Sequence, residues 1–253
     1  MNRLILGDCL VIMPGLEDKS VSLILADLPY GTTKCRWDTI IPFDKLWKQY
    51  KRIIKERRAV VLFSAQPFTS ALVMSNTEWF RYEWIWEKER PSNILTIKKQ
   101  AGRVHENILV FSEGVGVYNP QMMPALRPSS NAGYKSQQGD MNALEHTGGV
   151  KAKYSDTYNP NLRYPRSVLK FSRRVKGGKK RHPTQKPVAL LEYLIKTYTN
   201  EGEIVLDNTM GSGSTGVACV NLGRDFIGIE IAKKYFDVAE ERIENARRTE
   251  RLF

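Results

Sequence analysis

The chain has 253 residues, 42% of them apolar and 26% charged, and its 39 Lys and Arg outnumber 27 Asp and Glu to leave a net charge of +12. That profile belongs to a folded globular protein and excludes wholesale disorder, a collagen-like repeat and any run of the ~18 uncharged apolar residues that a membrane span needs. Three scattered cysteines (Cys9, Cys35, Cys219), no CxxC and only three histidines argue against a disulfide framework or a structural zinc site and fit a reducing, cytoplasmic compartment.

Asp8 breaks the apolar N-terminal run and no small-residue cleavage site follows, so no secretory leader is expected. Leu4–Leu6 reads as a short strand ending at Gly7-Asp8, with a short helix over Cys9–Leu16. Val21–Ala26 is a nearly continuous apolar run stopping at Asp27, the pattern of a buried parallel strand. A helix follows over Asp44–Lys55, a strand over Ala59–Ser64 and a helix over Pro67–Ser75. Phe80–Trp86 and Ile108–Phe111 read as two more strands without a helical connector, which predicts an antiparallel pairing. After Pro187 the βα alternation resumes: helix Val188–Thr199, strand Ile204–Leu206, helix Ser214–Leu222, strand Phe226–Ile229 and helix Lys233–Arg247.

Residues 112–181 differ in texture, being rich in Pro, Gly, Ser, Asn and basic residues without sustained periodicity. The charge excess gathers here. Residues 151–181 hold eleven Lys and Arg against Asp156 alone, leaving only +2 for the rest of the chain. Tyr154, Tyr158, Tyr164 and Phe171 are interleaved with these cations, which favours a nucleic-acid surface over a solvated loop. The chain therefore divides into 1–111, a basic insert 112–181, and 182–253.

Between a predicted strand and a predicted helix stands Asp207-Asn208-Thr209-Met210-Gly211-Ser212-Gly213-Ser214-Thr215-Gly216. Gly211, Gly213 and Gly216 satisfy the G-x-G-x-x-G pattern of nucleotide-cofactor loops, and no Lys follows to make a triphosphate loop. Glu230, at the end of the next strand, is placed to accept hydrogen bonds from both ribose hydroxyls of a nucleoside. NAD(P) and S-adenosylmethionine both remain open on the loop alone. Position separates them: only 23 residues follow Glu230, too few for a second nucleotide-binding half. The rest of the sheet must come from earlier in the chain, so the domain is circularly permuted, which points to the methyl donor.

Asp27-Leu28-Pro29-Tyr30 ends the buried strand, where ligand crevices of open α/β sheets lie. These residues suit methylation of an exocyclic amino group on a base. The Asp27 carboxylate can accept one N–H and the Leu28 carbonyl the other, while Pro29 restricts the backbone and Tyr30 offers a ring face to a base swung out of a duplex. Accepting both N–H groups draws the nitrogen toward tetrahedral geometry and frees its lone pair for in-line attack on a sulfonium methyl.

The Asp27–Tyr30 element resembles the D-P-P-Y motif of amino-methyltransferases acting on DNA, and the loop from Leu206 to Gly213 resembles their cofactor loop. The order of catalytic motif, insert, His182-Pro183-Thr184-Gln185-Lys186-Pro187 and cofactor loop is similar to the β class of N6-adenine/N4-cytosine DNA methyltransferases. The resemblance implies a circularly permuted Rossmann-like α/β sheet of seven strands, one antiparallel, with 112–181 inserted as the target-recognition region. It implies S-adenosylmethionine as cofactor, held by Asp8 at the adenine and Glu230 at the ribose. Asp27 and Asp207, Asn208, Thr209, Met210, Gly211, Ser212 and Gly213 would lie at its methionine end, with Thr184 and Lys186 at its carboxylate. Asp27, Leu28, Pro29 and Tyr30 would be catalytic, no metal would be needed, and adenine N6 is favoured because Asp opens the motif. Lys151, Lys153, Arg163, Arg166, Arg173, Arg174, Lys179, Lys180 and Arg181 would contact double-stranded DNA. The class also suggests a homodimer. Two departures stand out: Leu28 replaces the usual first proline, and Thr209 stands where the family commonly has Phe. His105 and Glu106, ahead of the last strand of the first half, read as burial or capping at a strand start. Alternatives are an N4-cytosine enzyme, a catalytically silent DNA binder of the same fold, and an NAD(P)-dependent oxidoreductase, which leaves the basic insert and Asp27 unexplained.

Overall fold

In the computed structural model, which describes residues 2–33, 38–125, 159, 161–172 and 185–250, strand β2 (Val21–Asp27) is buried on both faces almost to its end. Its side chains alternate between two cores. Leu23 and Leu25 join one apolar cluster, while Ile24 and Ala26 join the other. A strand that buries both faces needs a layer on each side of the sheet, which is the doubly wound arrangement.

The remaining elements supply those layers. β1 (Asn2–Leu6), α1 (Cys9–Ile12), α2 (Phe43–Ile53), β3 (Ile54–Ser64), α3 (Phe68–Met74), β4 (Phe80–Glu87) and β5 (His105–Phe111) form the first half. After a two-stranded excursion come β8 (Val168–Lys170), α4 (Val188–Tyr198), β9 (Ile204–Asp207), α5 (Ser214–Asn221), β10 (Asp225–Glu230) and α6 (Lys233–Glu250). Leu46, Tyr50 and Ile53 of α2 pack with Phe68 of α3 on one face. Leu190, Leu194 and Ile195 of α4, Ala218 of α5 and Ile243 of α6 cover the other.

The main sheet runs β1-β10-β9-β2-β3-β5-β4-β8. β5 alone runs against its neighbours, pairing antiparallel with both β3 and β4, while the other pairings are parallel. Seven strands with one antiparallel is the expected architecture, and β8 adds an eighth at the edge. Val168–Lys170 falls in the stretch that reads as irregular. Three residues are too few to show a period, and the strand is fixed by its pairing with Ile85–Glu87 instead. The helix expected over Cys9–Leu16 tightens into a 3-10 turn at Met13–Gly15, where Pro14 removes a backbone donor. The second helix ends at Ile53 and β3 starts at once with Ile54, earlier than Ala59.

Residues Pro120–Arg166 form a separate unit. Its described part pairs β6 (Met123–Pro124) antiparallel with β7 (Leu162–Arg163), extended by the Ala125 N–H donating to the Asn161 carbonyl at 2.8 Å. Among the described residues no helix is long and apolar enough to cross a membrane.

Candidate active site

The chain winds outward from β9 through α5 to β10 on one side, and from β2 through α2 to β3 on the other. β2 and β9 are neighbours, paired at Ile24–Leu206, so their carboxyl ends flank the point where the winding reverses. Ligand crevices of open α/β sheets lie at such points. A cavity of about 520 Å³ opens there, lined by Asp27 from β2, Asp207 from β9, Glu230 from β10 and Asp8 beyond β1. Because β5 is reversed, its first residues face the same edge, and Glu106 joins the lining.

Asp27 is the centre of a charge cluster. Its Oδ1 accepts the Tyr30 hydroxyl at 2.7 Å and its Oδ2 the Lys186 ammonium at 2.6 Å. Lys186 Nζ also lies 3.2 Å from Glu106 Oε2, and Lys88 Nζ donates to Glu106 Oε1 at 3.0 Å. Two carboxylates and two ammonium groups thus balance in a nearly closed space, which is what makes their burial tolerable. Burial pushes the Asp27 carboxyl above its ordinary range, against the pull of Lys186 and with a further push from Glu106. Burial acts the same way on Glu106, but the Lys186 and Lys88 charges outweigh it and hold that carboxyl low. Lys186 is held above its usual value by Asp27 and Glu106 in spite of burial. Burial, then the charge on Asp27, keeps the Tyr30 hydroxyl protonated well beyond the normal range.

The turn after Asp27 is braced from behind. Asp38 accepts the backbone N–H groups of Tyr30 and Gly31 on Oδ1 (2.8 and 2.9 Å) and of Thr32 and Thr33 on Oδ2 (3.0 and 2.6 Å). Burial works to raise this carboxyl, yet a hydrogen bond from the Thr33 side chain and the backbone bonds of Gly31, Thr33 and Tyr30 hold it below its ordinary value. Gly31 has φ +68°, and a Cβ there would meet Ile40 at 2.9 Å, so the turn requires glycine. The Tyr30 ring stacks on Phe68 with centroids 4.9 Å apart. Leu28 is buried, and both it and Pro29 line the cavity.

At the other end, Asp8 caps α1 through the Leu10 N–H at 2.8 Å. The register Leu6–Glu230 between β1 and β10 puts Asp8 and Glu230 at the same rim. Glu230 accepts the Gly211 N–H at 2.9 Å and the Ala232 N–H at 2.8 Å, while burial raises its carboxyl against those bonds. Asp207 turns inward. It accepts the Thr215 hydroxyl at 2.6 Å and the Thr209 N–H at 3.1 Å, and burial pushes its carboxyl up to about 7 against them. Asn208 takes the Tyr50 hydroxyl at 2.6 Å on Oδ1, and its buried Nδ2 has no nitrogen or oxygen partner among the described residues. Gly213 (φ +75°) lies so close to α6 that a Cβ would meet Ala239 at 2.8 Å, and Gly216 packs against Ile243 and Phe226. Met210 is buried, its sulfur filling the space left by Gly228. Arg242 of α6 clasps the loop through the Ser212 carbonyl and the Ser212 and Ser214 hydroxyls.

Of the residues expected at the site, Asp8, Asp27–Tyr30, Lys186, Asp207–Ser212 and Glu230 gather around this one cavity, while Gly213 packs against Ala239 and Ile243 of α6. Lys186 meets Asp27 directly, a contact its place in the sequence did not announce. Thr184 lies outside the described residues, as do Lys151, Lys153, Arg173, Arg174, Lys179, Lys180 and Arg181. Arg163 and Arg166 belong to the separate Pro120–Arg166 unit. Sequence reasoning passed over Asp38 and Lys88 and set Glu106 aside as a strand-start residue. Only the strand reversal of β5 would have pointed to Glu106.

The family profile for N6/N4 enzymes, described as DNA methylase, matches residues 21–241. This chain belongs to that family. It is an N6/N4 DNA methyltransferase, of a family that takes its methyl group from S-adenosylmethionine. The Type II methyltransferase M.HpaI of Haemophilus parainfluenzae is 28% identical over 260 residues, covering 96% of this chain and 74% of that protein. DNA adenine methyltransferase YhdJ of Escherichia coli strain K12 is 28% identical over 259 residues, with 95% and 82% covered. The solved M1.HpyAVI–SAM complex aligns with a TM-score of 0.62 and 26% identity over 96% of this methyltransferase and 99% of that chain. The PvuII DNA methyltransferase, titled cytosine-N4-specific, shares the fold at a TM-score of 0.67 and 16% identity, with 97% and 90% covered. Among the described residues no three His, Cys, Asp or Glu gather as a metal site.

Proposed function

We propose that this methyltransferase acts on the N6 amino group of adenine in double-stranded DNA. The observation that carries the reading is the Asp27 carboxylate, held by Tyr30 and Lys186 at the switch-point cavity, with the Leu28 carbonyl next in the chain. Asp27 accepts one N–H of the amino group and Leu28 the other, so the lone pair is drawn out of the ring. A carboxyl whose proton affinity is raised by burial also suits the proton that the nitrogen sheds. Pro29 limits the backbone at Leu28, and Tyr30 borders the base. Asp opening this motif, together with a relative named as an adenine methyltransferase, favours adenine over cytosine.

The cavity suits S-adenosylmethionine, which when bound supplies an activated methyl on a sulfonium. Asp8 and Glu230 would hold the nucleoside; each Glu230 oxygen keeps a lone pair beyond its backbone N–H. The loop from Asp207 to Gly213, Asn208 included, would hold the methionine end. Lys186 has three donors, of which Asp27 and Glu106 engage two, so one remains for a carboxylate alongside Thr184. Residues 112–181 would read the DNA sequence, with the nine named Lys and Arg on phosphates, and the enzyme would work on chromosomal DNA in the cytoplasm.

The test is to incubate the protein with mixed-sequence duplex and methyl-labelled S-adenosylmethionine, digest to nucleosides and identify the labelled one. N6-methyl-2′-deoxyadenosine is the expected product. N4-methylcytosine would overturn the choice of base, and absence of any labelled nucleoside would overturn the reaction.

A further inference from the structure

The connection from β4 to β5 carries a feature that the methyl-transfer site does not use. It leaves β4 beside Trp86 and passes Ser92, both of which line the cavity. It is braced by its own hydrogen bonds: the Ser92 N–H donates to the Arg103 carbonyl at 2.9 Å, and Asn93 bonds the Ala101 carbonyl and the Arg103 N–H at 3.0 and 2.6 Å. Ile97 and Pro91 close on Gly102 so tightly that a Cβ there would lie 3.0–3.1 Å from them. On this closed base stands a single 3-10 turn, Ile94–Thr96, tied down by Gln100 Nε2 donating to Thr96 Oγ1 at 2.7 Å.

The turn holds its apolar residues outward. Leu95 is 100% exposed and Ile94 63%. Single exposed apolar residues are ordinary. Here two adjacent ones are fixed in water by a braced turn three residues from the cavity, and Arg90, Lys98, Lys99 and Arg103 of the same connection are also exposed, with Glu89 the only acid in 89–103. An exposed apolar point on a connection rich in exposed cations fits a polyanion with an apolar interior, which is a DNA duplex entered between base steps. An enzyme that takes a base out of the stack leaves a gap that water fills poorly.

We propose that Leu95, backed by Ile94, is a wedge that enters the base stack where the target base leaves, while the surrounding Lys and Arg hold the flanking phosphates. This rests on the reading of the protein as a base-flipping DNA methyltransferase. The wedge lowers the cost of extrusion from a paired duplex and has nothing to do when the target is already unpaired.

Once the modified sites have been sequenced, the test uses two short duplexes carrying that site, one with the target base paired and one with an abasic position opposite it. Leu95→Ala should lower kcat/KM about ten-fold on the paired duplex and stay within about two-fold of the natural protein on the abasic one. Leu95→Met should restore the paired rate. With 2-aminopurine at the target position, the fluorescence rise that reports extrusion should shrink in Leu95→Ala. An unchanged rate on the paired duplex, or an equal deficit on both duplexes, would overturn the wedge. A natural protein that methylates neither duplex would overturn the underlying activity and the wedge with it, whereas an active one with an indifferent Leu95→Ala sinks the wedge alone.

Discussion

The Thr209 hydroxyl donates to the backbone carbonyl of Asp27 at 3.1 Å. One bond therefore joins the tip of the glycine-loop segment to the end of β2, across the switch point of the sheet. Thr209 occupies a position where the family commonly has Phe, and this departure from the motif fixes the peptide from which Leu28 and Pro29 project. Removing the hydroxyl takes a hydrogen bond away from the carbonyl of Asp27. Thr209→Val should lose roughly 1 kcal/mol and lower kcat/KM about five-fold, with Thr209→Ser restoring it. Steady-state methylation rates on one DNA check this.

Lys186 and Glu106 bear on Asp27 with opposite signs. The ammonium favours the ionised carboxylate and the neighbouring carboxylate disfavours it. In the proposed reaction Asp27 must be ionised to accept the amino N–H, so the rate should fall as pH falls through its pKa. Lys186→Met raises that pKa and should move the acid limb of the kcat profile to higher pH. Glu106→Gln removes a like charge and should move it to lower pH. Profiles at saturating cofactor, which absorbs any loss of cofactor affinity at Lys186, decide between this and a purely structural role.

Asp38 takes four backbone N–H groups on its two oxygens. In Asp38→Asn an NH2 replaces Oδ2 and faces the Thr32 and Thr33 donors, so stability should fall by roughly 1–3 kcal/mol. Because the folded carboxyl is held below its ordinary value, its contribution is present above the ordinary carboxylate range and is lost as pH falls through the folded value. Thermal unfolding of the two proteins should therefore converge in acid and diverge toward neutrality.

Asp207 has the reverse dependence. Burial raises its carboxyl from 3.8 to about 7. The stability linked to it is complete below 3.8 and is lost as pH rises through about 7. Asp207→Asn, which can keep a bond to the Thr215 hydroxyl, should remove that decline, worth on the order of a few kcal/mol. Unfolding of the cofactor-free protein between these pH values checks the slope.

The parts of the site that were legible in the sequence are those built from consecutive residues on one strand end. Val21–Asp27 announces a strand buried on both faces, and Asp207–Gly216 announces a glycine turn between strand and helix, where the structure packs Gly213 and Gly216 against α6. Asp27-Leu28-Pro29-Tyr30 declares its chemistry by residue type. What escaped depends on tertiary direction. Glu106 begins its strand, and only the reversal of β5 carries a strand start to the carboxyl edge of the sheet. Asp38 acts on backbone N–H groups, which leave no mark in side-chain pattern. Lys186 looked like a cofactor ligand, and its contact with Asp27 spans 159 positions of chain. The edge strand Val168–Lys170 is paired rather than patterned.

The proposed reaction requires the Asp27 carboxylate to accept a hydrogen bond from the amino N–H of the target base. Methyl transfer by the natural protein and by Asp27→Asn, with DNA binding measured in parallel, tests it most directly. An Asn amide can face the N–H only through its neutral oxygen. DNA binding should stay within about two-fold while kcat falls by roughly 10²-fold or more, the scale of losing one preorganised electrostatic contact to the reacting group. Methylation by Asp27→Asn at the natural rate would contradict that requirement.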